Sequence, residues 1–113
     1  MADNIEIEKL EQYKGKQVKV RGIVEKIEDH GGILFLEISH SSSLAKAIII
    51  PDRENVFLVA KNIKKGYIVE MVGFVKECPL SNGHALCEVD VEMLSIISAR
   101  TRLENMIKIA REN

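Results

Sequence analysis

The sequence predicts an all-β domain, a small barrel of five strands, and three observations support this prediction. The chain has five segments of strand length, of which four show alternating apolar and polar residues, and turn residues separate the segments. A helical spacing of apolar residues falls between the third and fourth segments. With 113 residues and 46% apolar content, the chain has room for one compact core, so we expect a single barrel.

Charge is nearly balanced along the chain, with 16 Lys and Arg residues against 17 Asp and Glu residues. Much of the affinity of a protein for nucleic acids comes from Lys and Arg residues that neutralise phosphates. A chain with balanced charge would therefore need local clusters of cations to bind a nucleic acid. No apolar run reaches the roughly 20 residues of a membrane span, and the polar start differs from a signal peptide. We therefore expect a cytoplasmic protein.

The first predicted strand, residues 16–28, is long and changes its phase. Its apolar residues switch to the other face beyond Gly22, which indicates a bulge or a bend. We therefore expect this strand to curl and to serve both halves of a barrel. Residues 29–32 read Asp-His-Gly-Gly, which is typical of a turn because paired glycines adopt positive φ angles.

The second strand, residues 33–39, carries an aromatic side chain on its outer face. The phase that contains Glu37 should face solvent, and Phe35 shares that phase. A large aromatic side chain on a solvent-facing sheet indicates contact with a ligand or a partner.

The remaining predicted elements are three strands and one helix. They are a third strand at residues 44–50, a helix at 56–62, a fourth strand at 67–77 and a fifth at 85–97. In the fifth strand, the residues predicted to face the core are Cys87, Val89, Val91 and Met93. The order of three strands, a helix and two strands is that of the OB-fold, whose second and third strands commonly bind ligands.

The two ends of the chain flank the barrel, which we place at residues 15–98. Residues 1–14 are predicted as a lead-in with a short helix, and residues 99–113 as an amphipathic C-terminal helix. The apolar stripe of the latter consists of Leu103, Met106, Ile107 and Ala110. This stripe could close the chain's own barrel or dock another chain, and the pattern does not separate these alternatives.

Three segments resemble a known family. Residues 15–22 (GKQVKVRG), 29–36 (DHGGILFL) and 67–76 (YIVEMVGFVK) are similar to the OB-fold anticodon-binding domain of class II aspartyl-, asparaginyl- and lysyl-tRNA synthetases. The resemblance runs from Gly15 to about Leu103. It implies that Phe35 stacks on an anticodon base, and an exposed aromatic would be worth about 1–3 kcal/mol per stacked base. The alternative is that Phe35 packs under a loop or against a partner chain.

Other positions depart from the family's pattern. Lys46 stands where the family has a base-reading glutamine, and a lysine cannot copy the donor and acceptor pair of the amide. It could contact a phosphate or a base carbonyl, or be a plain surface lysine. Residues 25–28 replace a basic cluster, and the serine-rich residues 39–43 replace a charged loop. Nucleic-acid binding is therefore expected without the family's choice of anticodon.

We predict a freestanding protein that binds tRNA or single-stranded RNA without catalysis. Phe35 would stack on a base, while the predicted phosphate contacts are Arg21, Lys26, Lys46 and His30. The family's catalytic domain has no counterpart before Asn113. The alternative is an assembly subunit, similar to the small subunits of replication protein A, that uses its C-terminal helix for protein contacts.

The sequence gives little support for a metal site or for catalysis. Cys78, His84 and Cys87 are close in the chain, but three ligands without a CxxC spacing do not make a structural zinc site. Because no secretion signal points to an oxidising compartment, we expect the two cysteines to be free thiols, and we expect no metal. Nothing around the histidines and serines is similar to a nucleophile turn, so we expect neither an enzyme nor a cofactor.

Overall fold

A computed structural model describes residues 3–100 of the chain. Of the predicted C-terminal helix, residues 101–113 lie outside the described residues. The strands are β1 (Asp3–Asn4), β2 (Gln17–His30), β3 (Ile33–His40), β4 (Ser43–Ile49), β5 (Ile68–Val75), β6 (Leu80–Ser81), β7 (His84–Ala85) and β8 (Cys87–Ser98). A 3-10 helix spans Ile7–Tyr13 and helix α1 spans Glu54–Ala60. Within residues 3–100, no helix is long and apolar enough to cross a membrane.

The five predicted strands are β2, β3, β4, β5 and β8, and they close into a barrel. The sheet has the order β1-β2-β3-β4-β8-β5, and β5 pairs back onto β2. Strand β2 pairs with β5 through residues 17–23 and with β3 through residues 23–30. The long first strand therefore serves both halves of the barrel, and the predicted OB-fold is confirmed.

The change of phase in β2 arises from a bulge just beyond Gly22. The register with β3 shifts between Val24 and Lys26, so Glu25 is the extra residue of a bulge. Gly22 precedes the bulge and is required for a different reason. A Cβ atom at this position would lie 2.7 Å from the carbonyl oxygen of Ser39, so only glycine lets β3 approach this closely.

A second bulge changes which residues of β8 face the core. The register between β5 and β8 shifts at Gly73, which pairs with Val91 while Val72 pairs with Met93. The extra residue turns Met93 outward, where 63% of it is exposed, and brings Leu94 into the core with 8% exposed. The prediction that Met93 faces the core was therefore wrong, while Cys87, Val89 and Val91 are buried as predicted.

The core fills the barrel and is closed by the helices. Its fully buried larger side chains come from the barrel strands and the 3-10 helix: Leu10, Val18, Val20, Val24, Leu36, Ile38, Ile49, Val69, Met71, Val75, Val89 and Val91. Helix α1 buries Val56 and Ala60. Arg53, just before α1, donates to the Asp90 carboxylate and to the Val91 carbonyl at 2.8 Å, and so ties the helix to β8.

The two cysteines are joined in a disulfide, which corrects the prediction of two free thiols. They face each other at the base of a hairpin in which Leu86 N donates to Pro79 O and Glu88 N donates to Glu77 O. Their Cα atoms are 3.9 Å apart. The prediction considered the compartment of the protein, whereas the strand pairing decides which side chains meet.

Candidate nucleic-acid interface

Two cross-strand rows of side chains cover the outer face of β2, β3, β4 and β8. The first, which we call the aromatic row, consists of Glu28, Phe35, Ile48 and Asp90. The second, the charged row, consists of Lys26, Glu37, Lys46 and Glu88. Directly paired residues share a face of the sheet, so both rows point away from the core.

Phe35 lies at the centre of three predicted site residues. Its ring is half-buried, and the ring of His30 meets it edge-on with the centroids 5.3 Å apart and the planes at 77°. The Lys46 ammonium lies 5.9 Å from the centroid of the Phe35 ring, within the range of a cation–π contact. The structure therefore brings together Phe35, Lys46 and His30 as one cluster.

Glu28 holds the other predicted cation of this face. Its carboxylate is 3.3 Å from Lys26 Nζ and 3.1 Å from His30 Nε2. The hydrogen bond with His30, followed by that with Lys26, lowers the pKa of Glu28. Exposed ion pairs of this kind contribute little to stability, so Lys26 can exchange Glu28 for a phosphate at little cost.

Lys46 and Glu37 are not paired, although they lie directly opposite each other on β4 and β3. Among residues 3–100, neither side chain forms a hydrogen bond or an ion pair within 4.0 Å. Both line an open groove of ≈ 690 Å³ beside the charged row. This volume is in the range of small-molecule sites, about 300–1,000 Å³.

The hairpin of β6 and β7 forms one wall of the groove, a contribution that the sequence did not predict. Ser81, Asn82, His84 and Ala85 line this wall. The turn has Asn82 at φ 54° and Gly83 at φ 83°, which suits the Asn-Gly pair found in tight hairpins. That pair was the available signal for the hairpin, and the disulfide closes its base.

The groove is lined by more carboxylates than cations. The acidic side chains are Glu8, Glu11, Glu28 and Glu37, and the lysines are Lys26 and Lys46. A lining of this composition offers few contacts to phosphates. It offers many acceptors to N–H groups, which occur on the edges of nucleobases.

Arg21 is separated from the other predicted site residues. It pairs across the strands with Glu70 of β5, and its Nη2 atom lies 2.8 Å from Glu70 Oε2. The hydrogen bond with Arg21, with a further contribution from Lys19, lowers the pKa of Glu70. These groups line a second groove of ≈ 840 Å³, bordered by Ser39, His40 and Ser41.

Comparisons with known proteins agree with this architecture. The chain is similar to asparaginyl-tRNA synthetase from Pyrococcus horikoshii, with 29% identity and a TM-score of 0.67 over 80% of this chain and 21% of that one. Aspartyl-tRNA synthetase from Entamoeba histolytica shares the fold at 22% identity and a TM-score of 0.74, over 87% of this chain and 22% of that one.

A third similar structure is OBody AM3L09 bound to hen egg-white lysozyme, with 16% identity and a TM-score of 0.70 over 79% of this chain and 88% of that one. The chain spans about a fifth of the length of the two synthetases. The family model of tRNA_anti-like proteins matches residues 3–85. The chain therefore belongs to the tRNA_anti-like family, and its barrel is an OB-fold of the kind that forms the anticodon-binding domain of aspartyl- and asparaginyl-tRNA synthetases.

Proposed function

We propose that the protein binds single-stranded RNA, including the loops of tRNA, through the outer face of β2, β3 and β4, and that it does so without catalysis. The cluster of Phe35, Lys46 and His30 beside the open groove carries this proposal. A half-buried aromatic ring among polar groups provides a flat surface for a base, and its fixed position limits the entropy lost on binding.

Binding of a base would rearrange the contact between Lys46 and Phe35. Stacked rings have their centroids about 4.5–7 Å apart, and the ammonium at 5.9 Å occupies that shell. The long lysine side chain would therefore move to the rim of the base, where it can donate hydrogen bonds. Lys26 and His30 would contact the neighbouring phosphates in exchange for Glu28.

The similarity to synthetases supports RNA as the ligand. The two synthetases that the chain resembles are named for their action on tRNA, and the family model is named for the same ligand. The mixed charge of the face supports an affinity that depends more on stacking and base contacts than on phosphates. We therefore expect moderate binding that tolerates salt.

Fluorescence anisotropy with labelled tRNA, single-stranded RNA and single-stranded DNA at two salt concentrations tests this proposal. Phe35→Leu should weaken RNA binding by about 5- to 150-fold, which corresponds to about 1–3 kcal/mol. The matched control is Phe74→Leu, because Phe74 is 41% exposed on β5, where it pairs with Asp90 and lies outside the strands β2, β3 and β4 of the proposed binding face. Equal affinity of the two variants, or negligible binding of all three ligands, would contradict the proposal.

A protein-binding role is the second candidate, and one observation favours it. Val72 and Met93 are cross-strand partners on the outer face of β5 and β8, and Phe74 follows on the same phase of β5. Met93 and Phe74 are 63% and 41% exposed. Apolar side chains grouped on a surface are typical of a contact with another protein.

The mass of the protein in solution reports its oligomeric state, and this measurement distinguishes the protein-binding role from RNA binding alone. An assembly subunit should lose its oligomeric state when residues 101–113 are removed or when Met93 is changed to Lys. If the full chain, the form without residues 101–113 and Met93→Lys are all monomeric, this role is contradicted.

A further inference from the structure

Two unused polar groups next to Phe35 point to a particular base. Lys46 carries three N–H donors and no acceptor, whereas an ionised Glu37 carries two acceptor oxygens and no donor. The two residues are direct partners across β3 and β4, and neither forms a hydrogen bond or an ion pair within residues 3–100. A ligand that meets both must therefore present an acceptor and donors side by side.

The spacing of the two rows fits a base that stacks on Phe35. Phe35 and Glu37 are two residues apart on β3, so their rows are about 6.8 Å apart. If a hydrogen bond of about 2.9 Å is subtracted from this spacing, about 4 Å remains between the centre of the base and its edge. This distance matches the half-width of a purine. A base centred over Phe35 thus has one edge within hydrogen-bonding reach of the charged row.

Glu37 remains unpaired although lysines flank it on both sides. Its partner on β2 is Lys26, but Lys26 Nζ contacts Glu28 at 3.3 Å instead. Its partner on β4 is Lys46, whose ammonium lies over Phe35. Neither lysine pairs with the Glu37 carboxylate, so its two oxygens stay open to a ligand.

We propose that this site prefers guanine, with Glu37 as the residue that determines the preference. On its Watson–Crick edge guanine presents an oxygen acceptor, O6, followed by two adjacent donor groups, N1–H and N2–H. Both oxygens of Glu37 accept from the two donors, while Lys46 donates to O6. Adenine, cytosine and uracil each present a single donor group on that edge, so none can occupy both carboxylate oxygens side by side.

The energetic advantage follows from the charge on the carboxylate. Hydrogen bonds to an ionised group are roughly twice as strong as neutral ones, and a bidentate pair adds geometric specificity. A bidentate contact to a base discriminates by about 5- to 150-fold against the wrong base. This preference rests on the proposed RNA binding and adds the identity of the base to it.

The test compares short single-stranded oligouridines whose central position carries guanine, adenine, cytosine, uracil or hypoxanthine. The protein should bind the guanine oligonucleotide about 5- to 150-fold more tightly than the uracil one. Hypoxanthine lacks the N2 amino group, so it should lose part of this preference. Equal affinity for all five oligonucleotides, with Phe35→Leu still weakening each, would overturn the guanine preference alone.

Two variants assign the preference to a residue. Glu37→Gln should abolish the difference between guanine and uracil, because an amide has only one acceptor oxygen. The charge-matched control is Glu88→Gln, since Glu88 lies opposite Lys46 on its other side. A preference that survives Glu37→Gln, or that Glu88→Gln abolishes equally, would contradict the role of Glu37. Absence of binding to every oligonucleotide would overturn the proposed function together with this inference.

Discussion

Lys46 places its ammonium over the ring of Phe35, 5.9 Å from the centroid. Lys46 is one of the positions at which the chain departs from the synthetase pattern, and Phe35 is a position at which it follows that pattern. This departure therefore lies at the proposed stacking surface, where we expect a change of side chain to alter which base is accepted.

The salt dependence of binding should distinguish the two lysines of the charged row. Lys26 is expected to contact a phosphate, so Lys26→Met should reduce the slope of log K against log salt by about 0.7. Lys46 is expected to contact a base, so Lys46→Met should weaken binding with little change in that slope. Titrations at several salt concentrations measure both slopes, and equal changes would refute this division of roles.

Glu28 should titrate below the ordinary glutamate pKa of about 4.3, because His30 and Lys26 stabilise its charged form. The carboxyl carbon signal in an NMR pH titration reports this value. His30→Gln should raise the pKa of Glu28 by removing its largest contribution. An unchanged value in the variant would show that His30 does not act on Glu28.

The same carboxylate should make the fold more stable at neutral than at acidic pH. A carboxylate whose pKa is lower in the folded state than in the unfolded state adds to the free energy of unfolding. This contribution is fully present above the pKa of the unfolded state, and it is lost as the pH falls through the pKa of the folded state. Urea unfolding of the protein and of Glu28→Gln, compared at pH 7 and at acidic pH, measures this contribution. The difference in the free energy of unfolding between the protein and Glu28→Gln should be smaller at acidic pH than at pH 7.

Arg53 should be the most important ion-pair residue for stability in the described part of the chain. Arg53→Met removes the contact with Asp90 and leaves both that carboxylate and the Val91 carbonyl without their donor. We expect a loss of about 1–3 kcal/mol in the free energy of unfolding. Lys14→Met is the control, since its pair with Glu77 is well exposed and its loss should change the free energy of unfolding much less.

The disulfide between Cys78 and Cys87 should stabilise the wall of the groove. Closing a loop of this length is worth about 2–3 kcal/mol in the chain-entropy description, so reduction should lower the midpoint of urea unfolding. A thiol assay on the unfolded protein should find no free cysteine before reduction. Two reactive thiols at that stage would contradict the pairing.

The barrel strands were predictable because each carries apolar side chains at every second position. The burial of Leu34, Leu36 and Ile38, with Phe35 and Glu37 on the outer side, follows this alternation directly. Met93 could not be predicted in the same way. Its phase depends on an extra residue in β8 opposite Gly73, and alternation within one strand does not reveal how its neighbour is paired.

The site was predictable where strand register determines it. The tight turn between β3 and β4 places Glu37 opposite Lys46, which brings Lys46 beside Phe35. Arg21 lies on the same strand as Lys26, but β2 turns from β3 to β5 between them and directs Arg21 to Glu70. The closeness of two cations in the chain therefore did not predict a common surface.

The ring signals of Phe35 test the central claim most directly. The chain contains three phenylalanines, and the other two lie away from β2, β3 and β4: Phe57 is in α1, and Phe74 is on β5, where it pairs with Asp90. In a protein with labelled phenylalanine rings, single-stranded RNA should shift the Phe35 ring protons upfield, as stacking on a base requires, and leave the other two rings unchanged. RNA binding that leaves Phe35 unmoved, or that shifts Phe74 instead, would contradict the assignment of this face.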